Sequence, residues 1–323
     1  LVPIWAKCAR RAKSPSAVKN GSRAMSARGD AACMDKIPTC RPLLFRFRGR
    51  EKTREGLRSE PALRKITFKE NQTIAVAGKG GVGKTTTCGM IIDYLCAKKR
   101  GPVLVVDADA NSNLNEVLGV EVETSLGQIR EEMAQAELKG TIPKGMTKAD
   151  YAEMKFGDAL IEDDDFDMLV MGRTQGKGCY CYVNGVLQSQ LGKYLPNYSY
   201  VVMDNEAGLE HIARGTLPHV DTMLLISDCS RRGVQAVARI AEMIDEMGLN
   251  PGQMGLIINR APDGKLDDGV RAEIEKHGLK LFGVLPHDEA VYRCDCDGNP
   301  SAKLPDSDPM KVALRGIMQS IGL

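Results

Sequence analysis

Residues 78–85 read GKGGVGKT, a spacing that fits G-x-x-x-x-G-K-[ST]. The chemistry such a loop does is to hold phosphate. Its glycines let the backbone curl until several N–H groups point inward at phosphate oxygens. Gly78, Lys79, Gly80, Gly81, Val82, Gly83, Lys84, Thr85 and Thr86 are therefore candidate nucleotide-binding residues. Lys84 brings positive charge to the β- and γ-phosphates, and the Thr85 hydroxyl is a ligand for Mg²⁺. ATP and Mg²⁺ are the expected cofactors.

Carboxylates follow at the ends of two apolar runs. VLVVDADANSNL places Asp107 and Asp109 just past one run, and YVVMDNEAGLEH places Asp204 at the end of another. In open α/β sheets that is where ligands bind. Of Asp107 and Asp109, one is expected to hold Mg²⁺ through water and the other to orient the attacking water. Asp204 fits a carboxylate that serves the same ion, and Gly208 beyond it is placed to offer its N–H to the γ-phosphate.

A second kind of chemistry is signalled by GRTQGKGCYCYVNG at 172–185. In an extended segment Cys179 and Cys181 project to the same side. Soft thiolates suit Zn²⁺, Ni²⁺ or Cu⁺. Two sulfurs do not complete a four-coordinate site, and neither thiol has a local partner. A two-fold axis would supply the same pair from a second copy of the chain. Another pair, Cys294 and Cys296 in CDCDGNP, reads as a solvated loop with incidental thiols, with an accessory metal site as the alternative.

These residues need a scaffold. Short continuous apolar runs, TIAVA, VLVVD, MLVMG, YVVMD, TMLLIS, GLIINR and KLFGVLP, are the pattern of strands buried on both faces. Between them lie helical periodicities. KTTTCGMIIDYLCAKK puts Met90, Ile91, Tyr94 and Leu95 on one face, and GVQAVARIAEMIDEMG has Gly248 as its stop. The alternation predicts an α/β fold: a mostly parallel sheet of about seven strands with helices on both faces, a P-loop NTPase. Residues 121–166 are more polar, carry the run EDDD, and predict a helical excursion on the rim.

Composition bounds the rest. The formal net charge is +2 at pH 7, but residues 1–65 carry 17 Lys and Arg against 5 Asp and Glu, while the remainder carries 27 against 37. The basic stretch has little hydrophobic periodicity and predicts disorder. It is read as an extension with no part in the chemistry, from a misplaced start; a nucleic-acid-binding arm and a transit-like leader are the alternatives. Residues 66–323 are then the ATPase domain. Ten cysteines without a disulfide rhythm point to free thiols in a reducing, cytoplasmic setting. Cys88 and Cys96 are expected to face the core.

The KGGVGKT form resembles the deviant Walker A motif of the ParA/MinD/nitrogenase-iron-protein class of ATPases. What that resemblance implies is a homodimer in which Lys79 reaches across to the partner's nucleotide. It also implies that Asp109 orients the attacking water, and that Asn259 in IINR, with Pro286 and Asp288 in LPHDEAV, grips adenine. The two-fold axis wanted by the cysteines would then be available. GKGCYCYVNGVL, DADANSNL and MDNEAGLEH together resemble the CooC/AcsF family, over about residues 70–305. That resemblance implies an ATPase that binds nickel (or zinc) at a dimer-bridging Cys179/Cys181 site. Its dimer would depend on nucleotide and metal, and its client would be carbon monoxide dehydrogenase or acetyl-CoA synthase. Neither nucleic acid nor stable membrane insertion is expected.

Two other functions occur in the same class. An iron–sulfur electron donor of the nitrogenase type would need a cysteine in the second switch, and DNEAGLEHIARG has none. A MinD/ParA-like positioning ATPase would leave the CxC without a task. The tail DPMKVALRGIMQSIGL, with Val312, Leu314, Ile317, Met318 and Ile321, is either a membrane-surface helix or one docked on the domain.

Overall fold

A computed structural model of the chain describes residues 71–173, 188–189, 191–206, 217 and 219–323. Cys179, Cys181 and Gly208 lie outside the described residues, as does the basic stretch 1–65. The chain runs β1 (Gln72–Gly78), α1 (Lys84–Ala97), β2 (Val103–Asp107), α2 (Leu114–Leu118), α3 (Leu126–Lys139), α4 (Lys148–Ala159), β3 (Ile161–Glu162) and β4 (Phe166–Val170). It continues through β5 (Tyr200–Asp204), β6 (Thr222–Asp228), α5 (Arg231–Glu246), β7 (Gln253–Ala261), α6 (Asp268–Lys276), β8 (Leu281–Pro286), α7 (Glu289–Asp297) and α8 (Pro309–Ser320).

The strands form one sheet in the order β3-β4-β2-β5-β1-β6-β7-β8. Every pairing is parallel except β3 with β4. The seven expected strands are present. The eighth, β3, is a two-residue antiparallel edge that no apolar run announces. The run at 168–172 is displaced: β4 spans Phe166–Val170, because its register is set by β2.

Alternation along each strand feeds two cores. Ala75, Ala77, Leu104 and Val106 pack in a layer with α3, α4, α5 and α6. Ile74, Val76, Val103 and Val105 pack in the opposite layer with α1, α2 and α8. Burial of strands on both sides is why they read as unbroken apolar runs. The rim segment is helical, as expected. Each of α3 and α4 begins with a reciprocal capping box, Ser125 with Gln128 and Thr147 with Asp150. Helix α5 ends with Gly248 beyond it in the left-handed region (φ 67°), the conformation that stops a helix cheaply at glycine.

The C-terminal helix is docked on the domain. Met310, Leu314, Ile317 and Met318 are buried against β8 and α1. The expected stripe needs one correction: Val312 is half exposed, and Lys311 is the buried neighbour. Lys311 Nζ makes an ion pair with Asp93 on α1 at 2.7 Å. It also donates to the carbonyls of Ala302 (3.0 Å) and Leu304 (2.8 Å). No described helix is long and apolar enough to cross a membrane.

A buried cation satisfied this way is costly to remove, because its partners stay behind unpaired. Lys311→Met is expected to lower stability by ~3 kcal/mol in urea unfolding. A change within experimental error would mean that α8 is held by its apolar contacts alone.

Candidate functional site

The sheet order turns back at β1. From β1 the chain moves outward to β2, and after β5 it crosses β1 to build β6, β7 and β8 on the other side. The carboxyl ends of β1, β2 and β5 therefore surround one crevice. The phosphate loop leaves β1 there and enters α1, whose first residue is Lys84. Gly83 sits at the helix N-cap with φ 88°. A side chain there would be strained and would overlap the Asn259 amide, so glycine is required on both counts.

The loop is held from β7. Asn259 is buried; its Nδ2 donates to the Val82 carbonyl (2.9 Å) and its Oδ1 accepts from the Arg260 N–H (2.9 Å). The Arg260 guanidinium donates to the Gly81 carbonyl (3.2 Å). Arg260 is itself in the left-handed region (φ 57°), a conformation that a non-glycine residue holds at a cost. The structure thus gives Asn259 the task of buttressing the loop. Nothing in the spacing of the sequence announced Arg260. Pro286 closes β8 opposite Ala261. The Asp288 carboxylate caps α7, accepting from Ala290 and Val291. A cavity of about 650 Å³ opens beside Arg260, lined also by Asp228, Ser230, Lys265 and Asp267. A smaller one of about 250 Å³, by His219 and Asn250, lies at the amino ends of the strands, away from the loop.

Lys84 and Lys79 differ in setting. Lys84 is buried, and its ammonium donates to the Lys79 carbonyl at 3.3 Å. Lys79 is exposed.

Asp107 and Asp204 stand side by side in register across β2 and β5, both buried. Asp107 has work within the fold: Oδ1 accepts from the Asp109 N–H (3.0 Å) and Oδ2 from the Leu114 N–H (3.2 Å). Neither carboxylate oxygen of Asp204 has a hydrogen-bond partner, nor has Oδ1 of the adjacent Asn205. Burial, with the neighbouring Asp204, pushes Asp107 up to about 7. Burial pushes Asp204 up to about 6, against the pull of the nearby Thr85 hydroxyl and Lys84. Orphaned carboxylate oxygens beside a hydroxyl and a phosphate loop are the donor set that Mg²⁺ uses, a hard ion bound by one or two carboxylates, waters and phosphate. Thr85 and Asp204 fit that ion directly, and Asp107 fits it through water.

Asp109 lies just beyond, half-buried, with Oδ1 accepting from the Asn111 N–H (2.8 Å) and Nδ2 (3.2 Å). Asn111 in turn accepts from Arg173. Cys88 is buried, and Cys96 is half-buried with its thiol toward the Asp165 carbonyl. The second CxC is not in a loop. Cys294 and Cys296 lie on α7, where residues two apart point to different sides and do not converge on one ion. Among the described residues no group of three or more His, Cys, Asp or Glu is placed to hold a metal.

Against known proteins, residues 73–301 match the CobQ/CobB/MinD/ParA nucleotide binding domain. An uncharacterized ATP-binding protein of Methanocaldococcus jannaschii is 40% identical over 250 residues, covering 77% of this chain and 97% of that protein. The carbon monoxide dehydrogenase accessory protein CooC of Rhodospirillum rubrum is 28% identical over 248 residues, 70% of this chain and 87% of that one. In fold, the septum site-determining protein MinD complexed with Mg-ADP from Pyrococcus horikoshii superposes with a TM-score of 0.57. It has 21% identity and covers 78% of this chain and 96% of that one.

The raised carboxyls fix how stability varies with pH. Their folded values lie above the ordinary 3.8, so their contribution is fully present below about pH 4 and is lost as pH rises through 6 to 7. Nucleotide-free protein should therefore lose stability between pH 4 and 8. Asp204→Asn should flatten that loss by roughly 2 kcal/mol in urea unfolding across buffers. Parallel curves for the two proteins would show that burial does not hold this carboxyl up.

Proposed function

The chain belongs to the CobQ/CobB/MinD/ParA nucleotide-binding domain family, and from that premise we propose that it is an ATPase that delivers nickel to carbon monoxide dehydrogenase or acetyl-CoA synthase. The pair Cys179/Cys181 carries this assignment, in a chain 28% identical to a carbon monoxide dehydrogenase accessory protein. Nickel is the cargo; zinc is the competing ion for the same thiolates.

The hydrolytic half follows from the crevice. The loop N–H groups and the N-terminus of α1 bind the phosphates, and Lys84 neutralises their charge. Asn259, with Arg260, keeps the loop curled. Asp109 orients the water for in-line attack. Thr85, Asp107 and Asp204 would hold Mg²⁺, which would supply positive charge against the negative charge that develops on the phosphates. Lys79, exposed on its own subunit, reaches the nucleotide of a partner subunit, so ATP closes a homodimer. Closure brings two CxC pairs to one axis and completes four thiolates around one ion. A role in positioning at a membrane gains nothing from α8, whose apolar face is already packed on the domain.

Two experiments test the halves separately. Lys79→Ala should still bind ATP but lose the nucleotide-dependent dimer and most turnover; light scattering with a non-hydrolysable analogue reads the dimer. Normal dimerisation by this variant would remove Lys79 from its role in trans.

For the metal, equilibrium binding of nickel and zinc should give one ion per two chains. Cys179→Ser or Cys181→Ser should each abolish tight binding, whereas Cys294→Ser and Cys296→Ser should not. Affinity should weaken on acidification, because thiols must lose protons to ligate. One ion per monomer, or binding that survives loss of both Cys179 and Cys181, would falsify the bridged site.

A further inference from the structure

Strand β7 is irregular where it nears the phosphate loop. Its pairing with β8 sets Ile258 opposite Val284 and Ala261 opposite Pro286. Three steps along β7 thus face two along β8, which is a bulge at Asn259 and Arg260. Bulges bend a strand and re-aim its side chains. In this one Arg260 takes the left-handed conformation (φ 57°), which glycine alone adopts without cost. The bulge aims Arg260 at the loop. Its Nη1 donates to the Gly81 carbonyl (3.2 Å), and a Cβ on Gly83 would come within 4.0 Å of its Nε. The Arg260 charge also reaches Asp295 of α7, where it pulls down a carboxyl that burial raises.

The two loop carbonyls held from β7 are consecutive. Asn259 takes that of Val82, and Arg260 takes that of Gly81. A trans peptide is planar, so its N–H points opposite to its C=O. Drawing the Gly81 carbonyl toward β7 therefore aims the Val82 N–H away from β7, into the curl of the loop. The Val82 carbonyl does the same for the Gly83 N–H. Gly81 and Gly83 are both left-handed (φ 78° and 88°) with Val82 between them, the alternation that gathers N–H groups around an anion. The peptide after Val82 is held by a buried side chain, Asn259. The peptide after Gly81 has no such shelter: Gly81 is exposed, and a Cβ there would meet nothing within 4 Å. A peptide beside so open a glycine turns over cheaply. Turned over, it would offer the phosphates a carbonyl oxygen in place of an N–H.

We propose that Arg260 is a positioning residue for the nucleotide: its guanidinium locks the Gly81–Val82 peptide so that the Val82 N–H faces the phosphates. This rests on the nucleotide-binding half of the proposed function and is independent of the metal. Lys84 supplies charge, whereas Arg260 supplies geometry. The strained backbone at Arg260 is the stability given up for that geometry, as strain at functional positions commonly is.

The test compares the full chain as wild type, Arg260→Gly and Arg260→Lys. Glycine keeps the bulge but removes both the strain and the guanidinium. In urea unfolding without nucleotide, Arg260→Gly should be at least as stable as wild type. Its affinity for ADP should nonetheless fall roughly tenfold, within what a hydrogen bond from a charged group is worth. Inorganic pyrophosphate, which has no nucleoside to touch, should show the same loss. Arg260→Lys keeps the charge without the planar fork and should recover only part of it. In amide NMR, ADP should shift the Val82 N–H strongly in wild type and weakly in Arg260→Gly. Lower stability of Arg260→Gly would make Arg260 a support of the fold, and unchanged pyrophosphate affinity would place it on the nucleoside. Full recovery in Arg260→Lys would show charge alone at work. Each of these, or a Val82 shift that survives in Arg260→Gly, would overturn the lock. Wild type that binds no ADP would sink the nucleotide reading and the lock with it, whereas normal ADP binding by both wild type and Arg260→Gly would sink the lock alone.

Discussion

Two carboxyl groups, Asp107 and Asp204, are driven out of water side by side at the ends of β2 and β5. Like charges in a buried place oppose each other, and only a cation or a proton relieves them. Lys84 is near Asp204 but does not complete it, since both Asp204 oxygens lack a hydrogen-bond partner. The fold therefore maintains a local deficit that Mg²⁺ with a phosphate removes. The rest of the architecture serves that deficit. The in-register pairing of β2 with β5 brings the two groups together, and the reversal of strand order at β1 delivers the phosphate loop to the same crevice.

Support for the loop comes from outside it. Glycines give the phosphate loop its curvature, but they also leave it soft. Asn259 and Arg260, from the end of β7, grip the carbonyls of Val82 and Gly81. Arg260 is held in a conformation that its own backbone disfavours. A loop that must admit, hydrolyse and release a nucleotide is thus shaped by its glycines and stiffened by a neighbouring strand.

What was legible in the sequence follows from what is local. The strands were visible because burial on both faces demands apolar residues in unbroken runs, as in VLVVD and YVVMD. The phosphate loop was visible because its geometry admits few residue types. The short edge β3 was not, since two residues paired on a rim carry no apolar period. The CDC pair was mistaken for a loop because acidic residues resemble a solvated turn. In fact Asp288 caps a helix there, and the polarity is that of its exposed face. The burial of Lys311 on α8 was not legible, because the three oxygens that receive its ammonium come from other parts of the chain. Arg260 and the chain from Asp109 to Arg173 join residues distant in sequence, so no spacing could have announced them.

The central position of β1 has a consequence for the order of events during synthesis. Both neighbours of β1, β5 and β6, are made more than a hundred residues after it. The loop that leaves β1 emerges from the ribosome early, but the carboxylate of β5 and the buttress from β7 arrive late. A nascent chain therefore carries its phosphate loop for most of its elongation with no means of holding a nucleotide firmly. Competence comes nearly at once, when the last central strands close around the first. The strand order acts as a timer, keeping an incomplete chain from spending ATP before the whole domain is present.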